Sequence, residues 1–141
     1  MAFDGEFQHG IDEKGRLIMP AKFRDSLGPK YMLCKGLETC LFVYPMEEWA
    51  KLELKLNGLN VFNRKHRDFK RRFFSGSGEC EIDKQGRTLL NQEFRNYAGL
   101  TKEVYIVGAG ERLEIWDKEA WERYREGLEN DYESLAEEIF Q

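Results

Sequence analysis

Two arginines sit where a short turn would hold them out to a partner. Arg16 closes Asp12-Glu13-Lys14-Gly15-Arg16, and Arg87 closes Asp83-Lys84-Gln85-Gly86-Arg87. Gly15 and Gly86 give each segment the backbone freedom of a tight turn. A guanidinium in that position can donate two hydrogen bonds to guanine O6 and N7, the commonest base-specific contact. Lys14 and Lys84 suit phosphates, which position a duplex without specifying its sequence. Lys22 and Arg24 follow the first turn and add to its charge. Asp12 and Asp83 are acids on such a surface, so their natural work is to bond turn amides or orient the arginine four residues on. The competing reading makes each Asp and Arg a structural ion pair that only holds the turn.

Other chemistry finds little support. Asp12-Glu13, and Glu79 with Glu81, are carboxylate pairs, but neither comes with a paired histidine, a nucleophile motif or a phosphate loop. An enzyme is therefore not expected. Gly108-Ala109-Gly110 lacks the third glycine of a dinucleotide fingerprint and lies between two strand-like runs. His9 and His66 are the only imidazoles and have no ligand spacing, so no metal or other cofactor is expected. Cys34, Cys40 and Cys80 form no CxxC and read as reduced strand residues.

The turns belong to a repeat. Ile11-Asp12-Glu13-Lys14-Gly15-Arg16 returns 71 positions later as Ile82-Asp83-Lys84-Gln85-Gly86-Arg87. Phe23-Arg24 matches Phe94-Arg95, Gly28 matches Gly99, and Trp49 matches Trp121 after one residue of slippage. A duplicated unit should fold as a pseudo-two-fold object that presents its turns twice. In each half, short apolar runs follow the turn: Leu17-Ile18-Met19 and Thr88-Leu89-Leu90. A short helix comes next, with Pro20 suited to its first position in one half and Asn91 to the N-cap in the other. A strand pair completes each unit, around residues 31–44 and 104–116. Cys80-Glu81-Ile82 can extend as a strand before the second turn.

Between the repeats, Trp49, Leu52, Leu56 and Leu59 follow helical spacing, and Phe62, His66, Phe69 and Phe73 restart it. Two helices joined near Gly58 are expected, the second carrying Arg64, Lys65, Arg67, Lys70, Arg71 and Arg72. A C-terminal helix starts near Lys118, capped by Asp117. Its stripe of Trp121, Tyr124, Leu128, Tyr132, Leu135 and Ile139 predicts core or interface. The three helices offer more apolar stripe than a small core can cover, so a homo-oligomer larger than a dimer is expected.

The formal net charge is −4, but it is unevenly spread. Residues 111–141 hold 11 acids and 4 bases, so the rest of the chain is net positive. No apolar run approaches the roughly 20 residues of a membrane span, and residues 1–10 lack a signal-peptide core. The first turn is the more electropositive: Gln85 stands where it has Lys14, and Glu93 where the first repeat has Lys22. Binding through Arg16 should therefore outweigh binding through Arg87.

The chain resembles the MraZ family of bacterial transcriptional regulators, built from tandem SpoVT-AbrB-type domains. The resemblance rests on Phe3-x-Gly5 and His9, IDEKGRLIMPAKFR at 11–24, GLETCLFVYPMEEW at 36–49, FFSGSGECEIDKQGR at 73–87, YAGL at 97–100 and EIWDKEAW at 114–121. The family's Asp-x-x-x-Arg signature falls on Asp12 to Arg16 and Asp83 to Arg87. One departure stands out: the second repeat has Asn91 where a proline is common. The resemblance implies an α+β fold, a pseudo-two-fold AbrB-like swapped-hairpin β-barrel from two tandem repeats with peripheral helices. The units would be residues 5–47 and 76–119, with a helical connector at 48–75 and an amphipathic tail helix at 120–141. It implies ring-like homo-oligomers, octamer-type or larger, binding direct repeats in double-stranded promoter DNA. The target would be the chain's own promoter and the division and cell-wall gene cluster, usually under repression. Localisation would be cytoplasmic and nucleoid-associated, with no membrane and no small-molecule substrate. The alternative is a protein-binding module, an antitoxin-like scaffold whose partner docks on the helices.

Overall fold

The computed structural model describes residues 2–141. In the first half, β1 (Glu6–Gly10) runs into the Asp12 turn and β2 (Arg16–Ile18). Helix α1 (Ala21–Leu27) and the hairpin β3 (Lys30–Lys35) and β4 (Leu41–Pro45) follow. Two helices, α2 (Met46–Asn57) and α3 (Arg64–Ser75), lead to the second half. That half repeats the order: β5 (Ser77–Glu81), β6 (Arg87–Leu89), α4 (Gln92–Ala98), β7 (Glu103–Gly108), β8 (Leu113–Asp117) and the long α5 (Lys118–Ile139).

Local chemistry sets the boundaries. The Asn91 side chain accepts from the Phe94 amide, and Asp117 from the Ala120 amide. Asn63 accepts from the Lys65 and His66 amides, while His66 Nδ1 accepts from the Asn60 amide and fixes the α2–α3 connector. The Asn91, Asp117 and Asn63 bonds are N-cap bonds that satisfy otherwise orphaned donors. Pro20 differs from its expected place: it is the N-cap of α1, not its first helical residue, and has no side chain to bond there. β1 was not foreseen as a strand, because Glu6, Gln8 and His9 interrupt any apolar run.

The halves are interleaved. A six-stranded antiparallel sheet has the order β1-β7-β8-β4-β3-β5. The leading strand of each half thus pairs with the hairpin of the other: β1 with β7, and β5 with β3. The hairpins meet at the centre, where Phe42 faces Glu114. β2 and β6 form a separate two-stranded ribbon. The fold is α+β, but neither sheet closes into a barrel. At three residues each, β2 and β6 reach the larger sheet's chain through single bridges, Ile11 to Leu17 and Ile82 to Thr88, and through the Thr88 hydroxyl, which lies 2.7 Å from Tyr31 Oη and donates to the Glu81 carbonyl at 2.9 Å.

Period-two alternation gives the six-stranded sheet two buried faces. One packs Leu33, Leu41, Val43, Val104, Ile106, Leu113 and Ile115 under the ribbon, α1 and α4. The other packs Cys34, Phe42, Tyr44, Val107 and Trp116 under Trp49 of α2 and Trp121 of α5. Trp49 and Trp121 therefore serve the same kind of surface, as the repeat requires. The rest of the α5 stripe departs from expectation: Tyr132, Leu135 and Ile139 are exposed. The sheet is too short to follow a 22-residue helix, and α5 runs past its edge. Among the described residues, no helix is long and apolar enough to cross a membrane.

Candidate nucleic-acid interface

Each Asp turn is built by one carboxylate. Asp12 Oδ1 accepts from the amides of Lys14 and Arg16 at 2.9 Å, and Oδ2 accepts from Arg16 Nε at 2.8 Å. Asp83 does the same with the amides of Gln85 and Arg87 at 2.9 Å and Arg87 Nε at 3.0 Å. Gly15 and Gly86 occupy the left-handed region with φ of 84° and 82°, which side-chain-bearing residues resist. The Arg16 and Arg87 amide bonds, joined by the side-chain contacts, hold the Asp12 and Asp83 carboxyls below the usual aspartate range. The structural ion pair and the orienting role coexist, because Asp engages only Nε. Among the described residues, no hydrogen bond takes up the terminal nitrogens of Arg16. Arg87 Nη2 is shared with Gln85 Oε1 at 3.3 Å.

Both arginines are the first residues of strands, not turn residues proper. In the ribbon, Arg16 faces Leu89, Leu17 faces Thr88, and Ile18 faces Arg87. Leu17 and Thr88 point into the core at 0% and 2% exposure, so Arg16, Ile18, Arg87 and Leu89 share the outer face. The tertiary fold thus brings the two signatures, 71 residues apart in the chain, onto one ribbon.

The remaining predicted residues divide. Lys14 and Lys84 are exposed beside the turns. Lys22 Nζ lies 2.6 Å from Asp4 Oδ1 and over the Phe7 ring, so part of its charge is offset. Arg24 donates from Nε to the Met19 carbonyl at 2.8 Å, with its guanidinium against Gly86. Arg95 repeats this arrangement with the Leu90 carbonyl and Gly15. Arg95 was not singled out from the sequence, although the Phe23-Arg24 and Phe94-Arg95 match marked it. Ile18 and Leu89 were also missed as outer-face residues, because strand direction is invisible in a three-residue run.

The acidic helix stands apart from this surface. Its packed end covers the face of the sheet opposite the ribbon. Glu6 ties it to β1 by accepting from Trp121 Nε1 at 2.5 Å and Arg125 Nη1 at 2.7 Å. Burial works to raise the Glu6 pKa, but these two donors outweigh it and the net shift is downward.

The comparisons with known proteins agree with the duplicated architecture. The family model for the MraZ protein, described as antitoxin-like, matches twice, over residues 2–72 and 73–141. The chain is 55% identical over 137 residues to the transcriptional regulator MraZ of Desulforamulus reducens, covering 97% of this chain and 96% of that one. It is 53% identical to the Heliobacterium modesticaldum protein of the same name and 51% to that of Acetivibrio thermocellus, with the same coverage. These relatives are named for regulation and not for a reaction. Identity at this level over 97% of the chain, with a family model that matches both halves, places the chain in the MraZ family.

Proposed function

We propose that this chain is a sequence-specific DNA-binding transcriptional regulator that reads double-stranded promoter DNA through the β2–β6 ribbon. The observation that carries the reading is the pair of Asp-anchored arginines on one exposed face, with the terminal nitrogens of Arg16 unbonded among the described residues. A guanidinium fixed through Nε presents its far edge, the edge that guanine O6 and N7 require. Lys14 and Lys84 then hold the backbone, and the net acidity of the chain is carried away from the ribbon by α5.

The finer features follow the family resemblance. The two repeats at 5–47 and 76–119 act as one AbrB-like swapped-hairpin unit, joined by 48–75 and extended by 120–141. Ring-like oligomers, octamer-type or larger, engage direct repeats upstream of the chain's own gene and the division and cell-wall cluster, and repress them. Weak single-protomer binding is raised by linkage when site spacing matches the ring. The protein acts in the cytoplasm, at the nucleoid.

The test is a fluorescence-anisotropy titration of the DNA upstream of the gene, against a scrambled duplex, with wild type and Arg16→Ala. Preference for the upstream DNA that Arg16→Ala abolishes, with an unchanged circular dichroism spectrum, supports the reading. Equal binding of both duplexes by the wild type overturns it. The free end of α5 favours a second reading, an antitoxin-like module that docks a protein there. Binding unaffected by Arg16→Ala but lost on removing residues 129–141 would select it.

A further inference from the structure

We propose that Ile18 and Leu89 are base-reading residues that recognise thymine through its C5-methyl group. The inference rests on the DNA-reading assignment above and adds a second chemistry to it. Both side chains stand on the outer face of the ribbon at 48% and 56% exposure. They occupy the same place in each repeat, the residue two beyond the signature arginine. Among the described residues no helix covers them, although a polar residue at either position would leave the ribbon's packed side untouched. Leu17 and Thr88, on that packed side, do the structural work.

The surroundings specify the partner. Arg16 lies across the ribbon from Leu89, and Arg87 from Ile18. Lys14 and Lys84 stand at the ends of the same surface. An aliphatic patch bracketed by cations fits a partner that is anionic at its rim and apolar at isolated points within. The major groove is such a surface. Phosphates wall it, and the thymine methyl is the hydrocarbon group on its floor. The groove also admits a two-stranded ribbon.

Spacing agrees. Residues facing each other across an antiparallel pair are about 5 Å apart, and side chains on one face of a strand recur about every 6.7 Å. Base pairs rise about 3.4 Å. An arginine on guanine therefore sets its facing aliphatic over a base within about two steps. The ribbon should read guanine with a nearby thymine, twice, once through Arg16 with Leu89 and once through Arg87 with Ile18.

Deoxyuridine provides the test, because it differs from thymidine only in lacking the methyl group. A random duplex library is selected on the wild-type protein, and the enriched sequence is resynthesised with deoxyuridine at one thymidine at a time. Wild type should lose about three- to fivefold in affinity at a thymidine within two steps of a required guanine, the worth of burying about one methyl. Ile18→Ala or Leu89→Ala should bind the unsubstituted duplex more weakly by a similar factor and show no further loss with deoxyuridine at that position. Full deoxyuridine tolerance in a protein whose binding still collapses with Arg16→Ala overturns this inference and leaves the DNA reading standing. A deoxyuridine penalty that persists in both alanine variants also overturns it. If Ile18→Ser instead lowers the oligomer mass in light scattering while deoxyuridine is tolerated, the patch is a subunit contact and the inference is wrong. Failure to enrich any sequence defeats this inference and the DNA reading together.

Discussion

The guanidinium of Arg24 lies over Gly86, so close that a Cβ there would sit 2.5 Å from Cζ. Arg24 belongs to the first repeat and Gly86 to the turn of the second. Arg95 closes over Gly15 in the reciprocal sense, with a would-be contact of 2.8 Å. Each repeat's helix therefore clamps the other's turn, and each clamp is anchored by an Nε bond to a backbone carbonyl. The geometry of Arg16 thus depends on the second repeat, and that of Arg87 on the first.

Gly86→Ala should destabilise the fold by about 1–3 kcal/mol. The left-handed φ costs about 1–2 kcal/mol for a residue with a Cβ, and displacing Arg24 sacrifices part of its bond to the Met19 carbonyl. Urea unfolding at neutral pH measures it. Gly99→Ala supplies the comparison: its backbone is left-handed at φ 61° and ψ 31°, but nothing lies within 4 Å of an added Cβ, so its loss should be the smaller.

Arg16→Ala should weaken specific DNA binding more than Arg87→Ala does. Removing a bidentate guanine contact costs about 1–3 kcal/mol. Arg87 already shares Nη2 with Gln85, which stands where the first turn has Lys14. Lys14→Ala should lower affinity almost equally for all sequences and make the salt dependence shallower, by about one unit of slope. Titrations of the three variants at two salt concentrations decide the order, and a larger loss for Arg87→Ala would make the second repeat the main reader.

Acid should loosen both turns. Asp12 and Asp83 titrate lower in the fold than in an unfolded chain, where an aspartate titrates near 3.9. Their stabilisation is therefore complete above the unfolded value and lost as pH falls through the folded one. The stability gap between wild type and the Asp12→Asn/Asp83→Asn double variant should be widest at pH 7 and narrow by pH 3. A gap that stays constant over this range would show that the carboxylate charge contributes nothing there.

The free half of α5 should seat on the α3 face of a neighbouring copy. An isolated helix of its length is marginal in water, and it carries Tyr132, Leu135 and Ile139 exposed among Glu129, Glu133 and Glu137. The outward face of α3 offers exposed Phe69 beside Lys65 and Arg72. Lys65→Glu/Arg72→Glu and Glu129→Lys/Glu133→Lys should each reduce assembly about tenfold, since like charges then meet. Mixing the two variants should restore it, because contacts between unlike variants are again between opposite charges. Light scattering of each variant and of the mixture checks this, and unchanged masses throughout would place the contact elsewhere.

The duplication, the turns and most of the helix limits were legible in the residues. Asp-x-x-Gly-Arg names its own hydrogen bonds, because a carboxylate two and four residues before its donors needs no tertiary help to reach them. Asn91 and Asp117 announced their helices for the same reason. Which strand pairs with which was decided by the tertiary structure, since β1 and β7 lie almost a hundred residues apart and no local signal links them. The outward placement of Ile18 and Leu89 depended on the facing strand, because burial of Leu17 and Thr88 alone sets which side of a three-residue ribbon meets solvent. The Arg24 and Arg95 clamps, and the emergence of α5 beyond the sheet, likewise arise where distant segments meet. Short-range chemistry wrote the turns, and long-range burial decided what they face.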